Sequence, residues 1–251
     1  MGSSSCGGIV VVVPCYEPSA SVFLPYVKEL LNKKIKRLIV VDDGSGSEYA
    51  GVFASLSALE NVTVISYEKN QGKGYALKRA FSYCKQTFTE EDVFVTADCD
   101  GQHLVCDVLK VAQCAKKSPS CFVLGSRDFS SGNKKIPGKS RFGNRFSSFL
   151  FSFLYGVKNC DTQTGLRGFS YLFLEKLIAV TGKRFEYETN VLTCFARSKV
   201  KFLKTKINTV YEKKPKDVKK RTHFKPFKDS VVITFCLLKN AGLYAFSGIV
   251  S

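Results

Sequence analysis

Apolar positions along the first half of the chain follow two alternating patterns. Ile9–Val13 is an unbroken β-branched run, as expected of a strand buried on both faces. Strand-like runs recur at Arg37–Val41, Val62–Tyr67, Val93–Ala97 and 121–125. Between them, residues 20–33, 48–58, Gly74–Lys85 and 105–117 carry helical spacing; Ala76, Leu77, Ala80, Phe81 and Cys84 form one such stripe. Strands alternating with helices predict an α/β fold, a mostly parallel sheet flanked by helices. Ligands of such sheets bind beyond the carboxyl ends of the strands. Those ends carry Pro14-Cys15-Tyr16-Glu17, Asp42-Asp43, Asp98-Cys99-Asp100 and Gly125-Ser126-Arg127.

The second half reads differently. Residues 139–156 predict a helix with Phe142, Phe146, Phe149, Leu150, Phe153 and Leu154 on one stripe and Arg141, Asn144, Arg145 and serines around the rest. That stripe fits either a membrane surface or the protein core. Two strands are expected near 200–211. The segment 199–228 then holds 12 Lys and Arg against 2 acids. Asp229–Ser251 is apolar apart from Lys239 and Asn240 and predicts an amphipathic, interfacial helix.

Composition narrows the class. At 251 residues, 45% hydrophobic and 24% charged, the chain has the makings of one domain with a real core, which excludes disorder, collagen and coiled coil. No apolar run reaches the ~18 residues of a membrane-spanning helix. Met1–Gly8 lacks the basic start of a cleaved signal peptide, so none is expected. The net charge of +17 is one-sided: residues 1–100 hold 10 Lys and Arg against 12 Asp and Glu, residues 101–251 hold 28 against 9. Such asymmetry points to an anionic partner, a membrane surface or a nucleic acid. The 10 cysteines include no CxxC pair, and with 2 histidines a structural zinc site is not expected. Several fall in apolar segments, where free Cys behaves as a small hydrophobe, so a reducing, cytosol-facing compartment is expected.

The chemistry concentrates in short acidic and glycine-containing motifs. Asp98-x-Asp100, in a turn after an apolar strand, offers two carboxylates to one hard cation, with Gln102 as a further oxygen ligand; a plain polar turn is the alternative. Asp42-Asp43 suits a ribose or base, or the N-cap of a following helix. In Asn70-Gln-Gly-Lys-Gly74, Gly72 lets backbone approach a ligand and Lys73 suits a phosphate. It is neither a Walker P-loop nor a GxGxxG motif.

Together, Val-Pro-Cys-Tyr-Glu (13–17), Val-Asp-Asp-Gly-Ser (41–45), Asn-Gln-Gly-Lys-Gly (70–74), Asp-Cys-Asp-Gly-Gln-His (98–103), Gly-Ser-Arg (125–127), Arg-Phe-Gly-Asn-Arg (141–145) and the stretch Asp161–Phe169 resemble the family 2 glycosyltransferases of the GT-A fold. Within them the likeness is to the polyprenyl-phosphate hexosyltransferases, such as dolichyl-phosphate mannose and glucose synthases and bactoprenol glucosyltransferases. It runs from Val10 to about Phe227. The resemblance implies a Rossmann-like GT-A catalytic domain over residues 1–228 and a membrane-interface helix over 229–251. It implies that Pro14, Tyr16, Glu17 and Asp43, with Asp42 beside them, line the base and ribose pocket. Asp98, Asp100 and Gln102 would hold Mg²⁺ or Mn²⁺ against the donor diphosphate, near Gly72 and Lys73. Arg127 and Arg141 would contact phosphates, and Asp161–Arg167 would close over sugar and acceptor, with Gln163 and Arg167 as contacts. Glu17-Pro18 departs from the Asn-Glu usual in the family.

The implied reaction moves a hexose from a nucleotide sugar (UDP-glucose, GDP-mannose or UDP-GlcNAc) to a polyprenyl phosphate, dolichyl or undecaprenyl. It would run at the cytosol-facing surface of an endoplasmic-reticulum or bacterial plasma membrane. Glycosyl transfer passes through an oxocarbenium-like state, and cations stabilise the leaving diphosphate. A lipid phosphate is already an anion and needs no strong base, so direct displacement would invert the anomeric centre. A sugar or protein hydroxyl as acceptor would need a base, for which Asp161 is the candidate. A basic nucleic-acid-binding protein using 199–228 is a third reading. It leaves the acidic motifs without a purpose, and no nucleic-acid partner is expected.

Overall fold

The computed structural model of the chain describes residues 8–127, 138–158, 161–208 and 234–242. Among these, seven strands form one sheet: β1 (Ile9–Cys15), β2 (Arg37–Asp42), β3 (Val62–Ser66), β4 (Val93–Thr96), β5 (Cys121–Arg127), β6 (Arg167–Ser170) and β7 (Lys201–Ile207). Their order is β3-β2-β1-β4-β6-β5-β7. β6 runs antiparallel to β4 and β5, and the other neighbours are parallel. The helices are α1 (Ala20–Leu31), α2 (Ala50–Ser57), α3 (Lys73–Thr87), α4 (Val105–Lys117), α5 (Gly138–Tyr155), α6 (Leu174–Ala179) and α7 (Glu186–Arg197).

The β-branched runs are explained by cover on both faces. Val11 and Val13 of β1 pack with Phe23, Val27 and Leu30 of α1 and with Val108 and Val111 of α4. Val10 and Val12 turn the other way, onto Ala76, Leu77 and Phe81 of α3. With period 2 along the strand, consecutive apolar residues are what two buried faces require. The five strands expected in the first half lie where their patterns put them.

β6 departs from expectation. Arg167, the last residue of the stretch expected to close over substrates, opens this strand, and all four residues Arg167–Ser170 are buried in mid-sheet. Gly168 makes this fit possible: a Cβ there would stand 2.7 Å from Val111 Cγ1 and 2.9 Å from Val111 O of α4. α6 and α7 had no expected counterpart. Of the two strands expected near 200–211, β7 is one, and residues beyond 208 lie outside the described ones.

α5 settles the direction of its aromatic stripe. Phe146, Phe149 and Phe153 are 49%, 68% and 76% exposed, and the rings of Phe149 and Phe153 stack at 6.4 Å. Phe151, off that stripe, is the fully buried one, and Ser147 is buried beside it. These three rings therefore face outwards, while Leu150 and Leu154 of the same stripe pack against the core and the Phe142 side chain lies outside the described residues. In the tail, residues 234–240 are helical. Leu237 joins the core, and its carbonyl accepts from Tyr155 Oη at 2.9 Å. Asn240 Nδ2 donates to Asn190 Oδ1 and Thr193 Oγ1 at 2.9 Å each, while Phe235 is 47% exposed. Among the described residues no helix is long and apolar enough to cross a membrane.

Candidate active site

The carboxyl ends of β1, β2 and β4 meet the start of α3. At β1, Pro14 pairs with Val41 and is buried, while Tyr16 is half-buried beside Glu17. Glu17 adopts φ 48°, and its N–H donates to Ser45 Oγ at 2.9 Å. Asp42 Oδ1 accepts from Ser45 N at 2.9 Å, and Asp43 N donates to Cys15 O at 2.7 Å. The loops after β1 and β2 are thus tied together.

Asp43 holds a neighbouring loop. It is buried, and its carboxylate accepts from Tyr67 Oη (2.7 Å), Asn70 Nδ2 (3.1 Å), Gln71 N (2.8 Å) and Gly72 N (2.9 Å). Its oxygens shape the 70–72 loop, while Asp42, Tyr16 and Glu17 are more open. Burial, with the Asp43 charge, pushes the Tyr67 hydroxyl well up. Gly72 is obligatory here. Its φ is +101°, and a Cβ would stand 2.7 Å from Lys183 O.

Lys73 opens α3 and reaches across to Asp98 Oδ1 at 2.7 Å and to Glu188 Oε2 of α7 at 2.9 Å. Burial alone would lower the Lys73 pKa, but the two carboxylates outweigh it and raise it. Burial would likewise raise Asp98, but Lys73, His103 and Arg127 hold it well below the usual carboxylate range. His103 Nδ1 accepts the Asp98 N–H at 3.1 Å, with Nε2 3.9 Å from Asp98 Oδ2. Asp100 is exposed, and its Oδ1 accepts from Gln102 N at 3.0 Å. Gly101 makes the turn at φ +72°.

The third part of the site surrounds Asp161. Its carboxylate takes a two-point contact from Arg127, Nε–Oδ2 2.7 Å and Nη2–Oδ1 2.9 Å, and accepts Gln163 N at 3.2 Å. Both oxygens are engaged, so Asp161 is poorly placed as a base. Thr162 Oγ1 bonds Ser147 Oγ of α5 at 2.8 Å. Arg167 lies under the site, 4% exposed, donating to Thr164 O (3.1 Å) and Glu188 O (2.9 Å). The expected contact of Arg167 with sugar or acceptor would have to be made from this buried position. Gln163 Nε2 and Arg167 Nη2 are buried with no hydrogen-bond partner among the described residues. Arg141 lies on α5, but its side chain is outside the described residues.

Glu188 and His103 are the residues that sequence reasoning missed. His103 directly follows the acidic motif. Glu188 is one of only 9 acids after residue 100, but 115 positions separate it from Lys73.

The sequence model for glycosyl transferase family 2 matches residues 10–178. The chain belongs to this family. As a family 2 glycosyltransferase it is 30% identical, over 222 residues, to a UDP-N-acetylglucosamine–dolichyl-phosphate N-acetylglucosaminyltransferase of Methanococcus voltae. That match covers 81% of this chain and 86% of the relative. An uncharacterized protein of Methanocaldococcus jannaschii is 29% identical over 205 residues, covering 81% and 82%. Among solved structures, glucosyl-3-phosphoglycerate synthase of Mycobacterium tuberculosis, in complex with Mn²⁺, UDP and phosphoglyceric acid, superposes with a TM-score of 0.65 at 17% identity. It covers 96% of this chain and 81% of that one. The same enzyme with Mg²⁺ and UDP gives 0.65, at 17% identity and 96% and 82% coverage. The fold is that of the GT-A glycosyltransferases, and the chain is a glycosyltransferase.

Asp98, Asp100 and Gln102 offer the oxygen donors that suit a hard cation. Among the described residues no group of three or more His, Cys, Asp and Glu gathers to form a closed cage. One or two carboxylates, completed by substrate phosphates and water, are the usual holding of Mg²⁺. Gly165 leaves room for the arrangement. A Cβ there would stand 2.5 Å from Asp98 Oδ2, and Thr96 Oγ1 fixes its carbonyl at 2.7 Å.

Proposed function

We propose that this glycosyltransferase moves a sugar from a nucleoside-diphosphate sugar to a polyprenyl phosphate, with inversion, at an anionic membrane surface. The observation that carries this reading is the state of the carboxylates at the sugar end. Asp161 is clamped by Arg127, and Glu188 is paired with Lys73. A hydroxyl acceptor needs a carboxylate free to take its proton. A phosphate monoester arrives already ionised and needs cations instead. The Methanococcus voltae relative carries dolichyl phosphate in its name, and the Mycobacterium tuberculosis neighbours were crystallised with UDP and Mn²⁺ or Mg²⁺.

In this reading Tyr16, Glu17 and Asp42 surround base and ribose, while Asp43 keeps the 70–72 loop in shape. Asp98 and Asp100, with Gln102 beside them, would hold Mg²⁺ or Mn²⁺, which supplies positive charge for the departing diphosphate. Lys73 keeps Asp98 ionised and adds its own charge next to that diphosphate. Gln163 Nε2 is a buried donor free to meet a sugar or phosphate oxygen. Arg127 is held in place by Asp161 and draws the acceptor phosphate towards the anomeric carbon. The phosphate oxygen attacks from the side opposite the leaving group, which inverts the centre.

The lipid would approach over α5. Its exposed Phe146, Phe149 and Phe153, with Arg145 exposed among them, match the needs of an interfacial helix. The Ser147–Thr162 hydrogen bond links the inner side of that helix to the Asp161 loop. The bilayer would thus sit beside the acceptor site.

A transfer assay tests the proposal. The chain is mixed with dolichyl or undecaprenyl phosphate, Mg²⁺ or Mn²⁺, and labelled UDP-GlcNAc, UDP-glucose or GDP-mannose in parallel. Label in the solvent-extractable lipid with one donor is expected, and identifies sugar and nucleotide together. Metal-dependent nucleotide binding with no labelled lipid for any donor would overturn the acceptor and turn the search to hydroxyls.

A further inference from the structure

Lys73 is shared between two carboxylates from distant parts of the chain. Its Nζ stands 2.7 Å from Asp98 Oδ1, in the turn after β4, and 2.9 Å from Glu188 Oε2 of α7. The Glu188 end is the anchored one. Arg167 Nη1 donates to the Glu188 carbonyl at 2.9 Å, and Arg167 Nη2 lies 3.9 Å from Glu188 Oε1. Charge therefore alternates along Asp98, Lys73, Glu188 and Arg167. Side-chain exposure falls in the same order, 32%, 18%, 15% and 5%, so the row runs inwards from the open end at Asp98. The other Asp98 oxygen, Oδ2, lies against Gly165 and 3.9 Å from His103 Nε2. An ammonium in contact with a carboxylate fills a place which that carboxylate offers to a cation. Two cations at one oxygen repel, and in a partly buried site the repulsion is weakly screened. A site for a lone divalent cation has no use for an ammonium resting on one of its oxygen donors.

We propose that Lys73 is the resident counter-ion of the donor site. It keeps Asp98 closed to a lone divalent cation and releases it to one that comes with a nucleoside diphosphate. The diphosphate brings anionic oxygens, which Lys73 takes in exchange for Asp98. Glu188 holds the ammonium throughout the exchange, because its own backbone and carboxylate are fixed from behind by Arg167. Glu188 is therefore a positioning residue that acts through Lys73. Only ion pairs change partners, and no covalent bond is made or broken. The inference rests on the assignment of Asp98 to the cation in the function proposed above. It adds that cation and nucleotide load together, and it names the two residues that enforce this.

The test measures Mn²⁺ binding to the full chain without nucleotide, from the loss of the free-ion signal in electron paramagnetic resonance. Wild type is compared with Glu188→Gln and with the double variant Lys73→Met, Glu188→Gln. Each is also made with Asp98→Ala, which isolates binding at this site. The double variant loses one charge of each sign, so its net charge is that of the wild type, and no carboxylate is stranded on α7. Its Asp98-dependent Mn²⁺ should bind at least about tenfold more tightly than in the wild type, the low end of the coupling between close charge pairs. Glu188→Gln alone should bind no more tightly than wild type, since Lys73 then leans on Asp98. Asp98-dependent binding that is equal in wild type and double variant would overturn the counter-ion role and leave the cation assignment standing. So would tightening by Glu188→Gln alone. Binding that Asp98→Ala leaves unchanged in every protein, or no binding in any of them, would overturn both. Thermal melts establish that each variant is folded, and Lys73→Gln takes the place of Lys73→Met if the double variant fails that check.

Discussion

At the scale of single residues, exposure separates the two kinds of aspartate in the site. Asp100 is exposed, and its Oδ1 supports the turn to Gln102. Asp100→Ala should leave stability within about 0.5 kcal/mol, as for ordinary surface changes, yet reduce transfer by ~100-fold or more, the scale of losing one electrostatic group of the transition state. A thermal melt beside kcat/KM checks both halves, and undiminished turnover would remove Asp100 from the metal site. Asp43 should behave in the opposite way. Asp43→Ala strands the Tyr67 hydroxyl and the N–H groups of Gln71 and Gly72, a loss on the order of 3 kcal/mol or more for breaking a buried charged network. Urea unfolding measures it. The sequence makes Asp98, Asp100, Gly72 and Lys73 readable because chemistry and position coincide at strand ends. Asp43 carries the same signal, but its burial and its bonds to the 70–72 loop are not written in a dipeptide. Glu188 was out of reach because its partner lies across the fold.

At the scale of elements, amphipathic spacing shows that a helix has two faces but not which one is wet. In α5 Phe146, Phe149 and Phe153 lie on the outer face, and Phe151 with Ser147 makes the inner one. Phe149→Ser with Phe153→Ser should keep the melting temperature and reduce partitioning onto anionic vesicles. Each exposed Phe that enters the interface contributes about 1.5–3 kcal/mol at most, so the pair should cost at least tenfold in sedimentation assays. Equal partitioning would detach α5 from the lipid. Strand starts give a second case. Asp92 is buried, and its carboxylate accepts from Gly8 N and Lys36 Nζ at 2.8 Å and from Thr89 N at 3.1 Å. It thereby joins the beginnings of β1, β2 and β4. Burial would raise its pKa, but the Lys36 bond and the backbone donors lower it. A depressed carboxyl stabilises the fold fully above its unfolded value of ~3.9 and ceases to do so as pH falls through its folded value. Asp92→Asn should therefore destabilise the chain by roughly 2–3 kcal/mol at pH 7. It should also flatten the loss of stability below pH 4 in urea titrations at stepped pH.

At the scale of the whole molecule, the first half was legible because each βα unit closes locally, and the second was not because its pairings are long-range. β6 enters the sheet antiparallel between β4 and β5, about 40 residues after β5. Its Arg-Gly-Phe-Ser wording carries no strand pattern, and only the fit of Gly168 under α4 explains it. The same holds for the tail, whose apolar wording suited an interface. Its described turn is divided: Leu237 is core, and Phe235 is 47% exposed. Arg197 Nη1 and Tyr155 Oη bind its carbonyls at 3.0 and 2.9 Å. The segment is therefore a clasp across α5 and α7 as well as a surface, and deleting residues 229–251 would confound the two roles. Point changes separate them. Leu237→Ala empties a buried site and should cost 2–5 kcal/mol or about that, with vesicle binding per folded molecule unchanged. Phe235→Ser should leave stability alone and weaken vesicle binding together with the α5 variants. If Leu237→Ala proves harmless to stability, the clasp is wrong. If Phe235→Ser leaves partitioning unchanged while the α5 pair lowers it, the bilayer contact is confined to α5, and the positive charge after residue 100 must meet the lipid from that side alone.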